Sequence, residues 1–469
     1  MTLVSPTSVI RNALNNRADL ALSALEARTC HSWKMSLDRG GALARAEDFA
    51  GHPSFHLYIR EGMGAFVVDL DGNCFIDLSM GLGAQLLGHA VPAIQEAVLA
   101  QASRGWHAGL VTERQLELAR HIQAASGVNE RVTFCNSGSD ATAYAMRAAR
   151  AFTGRDLIGI FAGSNHGHHD YGIAGEEPSR TRELTDAGSL FGRPSTRRAH
   201  RHAGVPQAVA DSTLTLAYGH SSVFDQIRRR RRDLAAVIVE PVRALDPSTD
   251  HGPWLRELAS VCGETGVLLI LDERLTGFRL AYGGAQERFS VMPDLVAYGE
   301  VIGGGLPLGA VAGRADILSH MAGREAPGAT GTDGGASGNI LSVAAGTAAL
   351  SHLAARRGTL YPALDEKGRL LADAFNTFTA AHGLPAKMKL AGSIFRIQFS
   401  RADNAGASGY PAAEAAFYTL ALSKGVLVHA SRLGFLSGAH TTGDIAQVIT
   451  AFHEALSDVA SDGLFELQA

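Results

Sequence analysis

Between about residue 115 and residue 300 the chain repeats one pattern: a short apolar run, then a polar turn. The runs are Val132–Cys135, Leu157–Phe161, Ala235–Val239, Val267–Leu271 and Leu295–Tyr298, all β-branched or aliphatic. Helical stretches, Gln115–Ala125 and Ala141–Phe152 among them, are interleaved with these runs. Such alternation predicts an α/β fold, with a mostly parallel sheet covered by helices on both faces. Ligands in sheets of this kind bind outside the carboxyl ends of the strands. The residues just after each run are therefore the ones to read for chemistry.

The flanks read differently. The first 50 residues are predicted helical, with Leu14, Leu20, Leu22 and Leu25 near helical spacing and a looser stretch around Cys30–Gly41. Two apolar runs flank Asp71-Gly72 and predict a hairpin. Pro92–Ala102 reads as an amphipathic helix, and the polar stretch Ser179–Ala203 as a long loop over the sheet. A helix is expected after Gly338, through Ala344–Leu353, and a smaller α+β portion from about Gly358. Its strand candidates are Ile394–Phe399 and Val426–His429, and its last helix is Asp444–Leu456.

Hydrophobic content of 46% and a formal net charge of −4 suit a globular chain and give no electrostatic reason to expect nucleic acid or membrane partners. The basic run Arg228–Arg232 reads as a solvated helix end. None of the four cysteines lies in a CxxC pair, which leaves zinc and thioredoxin readings unsupported. No secretion signal or membrane span is evident, so a cytoplasmic location is expected.

The residues after the runs resemble the class III aminotransferases, most closely the glutamate-1-semialdehyde aminomutase branch. The resemblance runs from roughly Gly62 to Leu456. It rests on Asp69-Leu-Asp71-Gly72-Asn; Phe134-Cys-Asn136-Ser137-Gly138-Ser139-Asp140; His166-Gly167-His168; Glu240-Pro241; Asp272-Glu273 with Thr276-Gly277-Phe278-Arg279; Ile302-Gly303-Gly304-Gly305; and Gly434-Phe435-Leu436-Ser437 with Ala439-His440-Thr441. It implies a fold-type-I PLP-transferase of the aspartate-aminotransferase kind, typically a homodimer. The expected parts are residues 1–110 (N-terminal helical segment and small-domain strands), 111–350 (large cofactor-type α/β domain) and 351–469 (C-terminal α+β small domain).

That resemblance also implies where chemistry sits. Ser137, Gly138 and Ser139 stand at the phosphate cradle, where helix N-terminal N–H groups favour an anion. Asp272 stands where a carboxylate holds the pyridine nitrogen protonated. The family's lysine, which holds the cofactor aldehyde as an imine, aligns with Glu300. Asn165 aligns with the aromatic that stacks on the ring, and Arg274 with the aliphatic on its other face. The partner-subunit threonine aligns with Gly335, near Thr330 and Thr332. Arg432 aligns with a glutamate of the aminomutase branch. The changes at Glu300, Asn165, Arg274 and Gly335 fall in one pocket and suggest a rebuilt site, with Arg274 and Glu300 facing each other as a pair.

Glu300, Asp272 and His166 are the predicted catalytic residues. Ser137, Gly138, Ser139 and Asn165 are the predicted cofactor or anion ligands, and Arg274 and Arg432 the predicted substrate cations. No metal site is expected, because the His166-Gly167-His168 pattern is ordinary for the family. Three readings of Glu300 stay open: a general acid or base, a structural ion-pair partner, or a sporadic replacement of a lysine. The favoured function is cofactor-independent acid–base chemistry on a small anionic amino- or keto-type metabolite. On that reading no cofactor is covalently bound, and pyridoxal phosphate (PLP) or pyridoxamine phosphate (PMP) binds at most non-covalently. A non-covalent PLP or PMP enzyme and an inactive scaffolding protein are the alternatives.

Overall fold

A computed structural model describes residues 17–32, 57–106, 109–173, 204–248, 251–321, 337–400, 409–429 and 431–466. The predicted loop Ser179–Ala203 and the candidates Thr330, Thr332 and Gly335 lie outside these residues, as does Leu14. Strands are numbered in chain order: β1 Ile59–Met63, β2 Phe66–Asp69, β3 Cys74–Asp77, β4 Arg131–Cys135, β5 Leu157–Phe161, β6 Thr213–Leu216, β7 Leu234–Val239, β8 Leu268–Glu273, β9 Leu295–Tyr298, β10 Gly309–Gly313, β11 Ala386–Ala391, β12 Ile394–Phe399, β13 Val426–Leu427 and β14 Leu433–Phe435. The chain divides into two compact units. One gathers Met1–Glu96, Ala244–Thr249 and Ala355–Ala469, and the other Ala97–Arg243 with Asp250–Ala354.

The second unit is built on a seven-stranded sheet in the order β4-β10-β9-β8-β7-β5-β6. Pairing is parallel from β9 through β6, while β10 runs antiparallel to both β4 and β9. Every residue of β5, β7, β8, β9 and β10 is buried, as expected of strands covered on both faces. The five predicted runs match β4, β5, β7, β8 and β9 to within a residue or two. β6 and β10 were not predicted. The β10 sequence Gly309-Ala-Val-Ala-Gly313 is bounded by glycines and reads as a turn, yet its small residues suit a strand enclosed by two neighbours.

The helix Gly138–Thr153 covers this sheet. Ala141, Ala145, Met146, Ala148 and Ala149 form its buried stripe, packed with Ile158, Ile160, Ala236, Ile238 and Ile270. Each buried branched aliphatic side chain contributes about 1.5–3 kcal/mol. Ser137 caps the helix by accepting from the Asp140 N–H at 3.1 Å, and Gly154 ends it at φ 65°.

In the first unit β1-β2-β3-β13 form one sheet and β11-β12-β14 another. The Asp71-Gly72 turn joins β2 to β3, with Gly72 at φ 86°. Residues from both ends of the chain share the first sheet, because β13 pairs parallel with β3. Leu25, Val67, Phe75 and Leu422 form a common core. The helix that starts at Ile340 does not stop near Leu353: it runs to Ala381, through Gly358 and Pro362. A mid-helix glycine costs about 1 kcal/mol, which apolar burial on either side offsets. No helix among the described residues is long and apolar enough to cross a membrane.

Candidate active site at the strand ends

Five strands of the large sheet deliver polar residues at their carboxyl ends. β4 leads into Ser137-Gly138-Ser139, β5 into Asn165 and His166, and β7 into Glu240; β8 ends on Asp272 and Glu273, and β9 leads through Gly299 to Glu300. These predicted residues therefore lie in one unit, on one edge of one sheet.

At the centre of this edge is Asp272, 3% exposed. His166, fully buried, meets its Oδ2 through Nδ1 at 2.8 Å. Arg274 donates from Nε to Oδ1 at 2.9 Å and to Oδ2 at 3.1 Å, and from a terminal nitrogen to Oδ2 at 3.0 Å. Burial disfavours charge on Asp272, but the Arg274 guanidinium and the His166 bond outweigh it and hold the carboxyl well below the usual carboxylate range. Asp272 is therefore an anion fixed between the Arg274 guanidinium and the His166 ring.

The expected partner of Arg274 was Glu300. Instead, the bonds that hold Arg274 go to Asp272 and to the Asn165 carbonyl. The arginine is two residues from Asp272 along the chain, so its side chain folds back onto it at no cost in loop closure. Two glycines make room for the stem. A Cβ on Gly138 would lie 2.6 Å from Arg274 Cδ, and a Cβ on Gly299 would lie 3.5 Å from its Cγ and 3.0 Å from Gly138 Cα.

Glu300 opens a short 3₁₀ turn, Glu300–Gly303, at φ 49°. A non-glycine residue in that region stores strain of order 1 kcal/mol, of the kind that clusters at functional sites. Burial raises its carboxyl above the ordinary range, the charges of Arg274 and Arg279 pull it back, and Asp272 pushes it up further.

Ser137, Gly138 and Ser139 stand at the start of the helix Gly138–Thr153. The N–H groups of Gly138 and Ser139 open the helix, where no carbonyl of the same helix can reach them. Ser139 Oγ accepts from the His168 N–H at 3.3 Å. Asn165 turns its side chain onto its own loop, its Oδ1 accepting from the Gly167 N–H at 2.8 Å. Arg432 lies in the other unit at φ 62°, ion-paired to Glu414 at 3.0 Å.

Sequence reasoning gave no role to three groups. Glu240, 5% exposed, is pushed up to about 7 by burial, with the Asp272 charge adding to the effect. Its signal was a carboxylate set directly after an apolar run. Arg279, 2% exposed, acts on Glu300 by its charge, and sits in the Thr276-Gly277-Phe278-Arg279 motif. In the first unit, potential ligand atoms of Cys30, His31 and Asp71 lie within 4.8 Å of one another. Nothing in the local pattern could link Asp71 to residues some 40 positions earlier. Its oxygens already accept from the His31 backbone N–H at 3.1 Å, and Oδ1 meets the His31 ring at 2.6 Å.

Comparison with known proteins gives this geometry a context. The family description Aminotransferase class-III matches residues 49–455. A glutamate-1-semialdehyde 2,1-aminomutase from Thermomicrobium roseum is 38% identical over 413 residues, or 85% of this chain and 90% of that protein. An omega-transaminase from Sphaerobacter thermophilus superposes with a TM-score of 0.80 at 27% identity, covering 92% of this chain and 98% of that one. A structure described as a transaminase with PLP bound gives a TM-score of 0.80 at 28% identity over 93% of this chain and 99% of its own. The fold is thus that of the fold-type-I PLP-transferases, α/β with a large mixed sheet and a smaller sheet unit.

These findings overturn one expectation. Cofactor-independent chemistry, with no covalently bound cofactor and only incidental PLP or PMP binding, is not what such relatives support; one of the matched structures is described as having PLP bound. The error came from giving the residue types at Asn165 and Arg274 more weight than the helix N-terminus at Gly138 and the buried anion Asp272. Across most of its length the chain belongs to the class III aminotransferase family.

Proposed function

We propose that this chain is an aminotransferase- or aminomutase-type enzyme acting on a small anionic amino- or keto-type metabolite, with a pyridoxal-type phosphate held in the Ala97–Ala354 part of the chain. The residues present fit such a group at its two ends. Gly138 and Ser139 offer helix N-terminal donors to a phosphate, and Asp272 offers a buried, ionised carboxylate to a ring nitrogen. When bound, that group supplies the electron sink for bond changes at the amino-bearing carbon.

The chain's own residues would then act as follows. Glu300 stands where the family pattern has its lysine, and we assign it proton transfer. Support comes from the sequence: no lysine occurs between Lys34 and Lys367, so this unit contains none. Burial keeps Glu300 above the ordinary carboxylate range, which suits a group that must both take and return a proton. His166 and Asp272 orient one another. Arg274 is the cation assigned to an anionic substrate. Homodimer assembly and a cytoplasmic location belong to the same reading, and Trp106, Leu110 and Val111, 67%, 82% and 85% exposed, suit a surface covered by a second copy.

The observation that carries the proposal is the convergence of cradle, fixed anion and strained Glu300 on one sheet edge. Titration of the wild-type chain with PLP and with PMP, followed by absorbance, tests it. Saturable binding, together with amino-group exchange that drops at least a hundredfold in Glu300→Gln, is expected. Failure of the wild-type protein to bind either compound up to millimolar concentration would sink it.

A further inference from the structure

We infer that Arg274 is a built-in competitor for Asp272: it occupies the carboxylate that a cofactor ring nitrogen must reach, and has to be displaced before the ring can seat. This deepens the function proposed above and rests on it.

The geometry is specific. Both oxygens of Asp272 are engaged by the same guanidinium, through three contacts between 2.9 and 3.1 Å. The terminal nitrogen that donates to Asp272 also donates to the Asn165 carbonyl, which adds a second acceptor to hold the guanidinium. The stem lies against Gly138, inside the cradle, where even a methyl group would come within 2.6 Å of it. His166 takes a further position on Oδ2. Asp272 is thus already held by two side chains, Arg274 and His166, and a further donor can enter only if one leaves. His166 is the harder to move: it is fully buried, and its backbone is tied to Thr142 and to Gly172. Arg274 keeps 15% of its side chain exposed and can swing toward solvent or toward an incoming anion.

The consequence is counterintuitive. A buried arginine beside a phosphate cradle would ordinarily be expected to tighten binding of a phosphate compound. Here its loss should also tighten binding, because the carboxylate is released. Charge-assisted bonds of this kind shift affinity by about tenfold each. The test is equilibrium binding of PMP, which cannot form an imine with a side chain, to the wild-type chain, Arg274→Met and Arg274→Gln, with circular dichroism to confirm folding. The glutamine variant covers the case in which methionine does not fold. Binding at least tenfold tighter in either folded variant supports the inference. Equal or weaker binding, with the wild-type chain still binding, overturns it and makes Arg274 a phosphate ligand, while the proposed function stands. Binding by the variants alone supports the competitor and shows that the native chain does not load by itself, against the proposed function. If neither the wild type nor the variants bind, both readings fall.

Discussion

Arg274 and Arg432 were assigned the same role from the sequence, and both meet a buried carboxylate, yet their surroundings differ. Arg274 is 15% exposed and its partner Asp272 1%; Arg432 is 39% exposed and its partner Glu414 4%. The first pair sits at the end of a fully buried strand, bonded to both carboxylate oxygens. In the second a contact of 3.0 Å joins the groups, and the arginine keeps access to water. The contrast teaches that a charge's worth is set by what remains if its partner is taken away. At the sheet edge the arginine must swing out before anything replaces its partner, whereas at the exposed arginine water is already in place.

The largest effect is expected from Asp272→Ala. It leaves the Arg274 guanidinium without its carboxylate, and breaking a buried pair in this way costs about 3–5 kcal/mol. Denaturant unfolding against the wild type would measure it. A loss below about 1 kcal/mol would mean that Arg274 escapes to water easily, and the two pairs would then be equivalent.

Glu240 tests the same edge by its pH dependence. Burial pushes its carboxyl up to about 7, while the unfolded group titrates near its ordinary value of 4.5. Between those values the folded chain holds a proton that the unfolded chain releases, so stability falls as pH rises through that window. Glu240→Gln, an uncharged stand-in, should remove its share of this slope, while the buried Glu273, also pushed up to about 7, keeps its own, and the variant should be more stable than the wild type at pH 8 by on the order of 2 kcal/mol. Melting curves at pH 5 and pH 8 give the answer. Parallel pH profiles for the two proteins would show that Glu240 is not held neutral.

These groups also mark where the sequence was legible. Apolar runs identified β5 and β9 at their true ends, because a strand buried on both faces has to be apolar throughout. The placement of Ser137–Ser139, Asp272 and His166 on one edge could be read because the residues that follow such runs meet there by topology alone. The partner of Arg274 could not be read. Asp272 and Glu300 were both plausible, and the choice depended on the stem folding back past two glycines, Gly138 and Gly299, from different strands' ends. Gly358 misled for a related reason: local propensity ends a helix there, and packing along a 42-residue helix overrides it. The strand β10 was hidden by its glycines, which pack closely rather than turn.

A smaller loss is expected for Glu414→Ala. Arg432 is then released into water it already touches, and the change should cost roughly 1 kcal/mol. If Glu414→Ala proved as damaging as Asp272→Ala, solvent access would not be what separates the pairs.

The smallest effect concerns the backbone of Arg432, which lies at φ 62°, a region that favours glycine. Arg432→Ala loses the ion pair with Glu414 and keeps the strain. Arg432→Gly loses the same pair but relieves the strain, and only its greater freedom in the unfolded chain counts against it. Glycine should therefore be the milder change by about 0.5–1 kcal/mol, an order opposite to that in ordinary helix positions. Arg396 lies close enough to act on Glu414 by charge, and it tempers the loss in both variants equally. Paired denaturation curves of the two variants isolate the backbone contribution, since the missing side chain is common to both. Alanine matching or exceeding glycine would mean that the left-handed conformation at 432 depends on the ion pair, and relaxes once Glu414 no longer holds it.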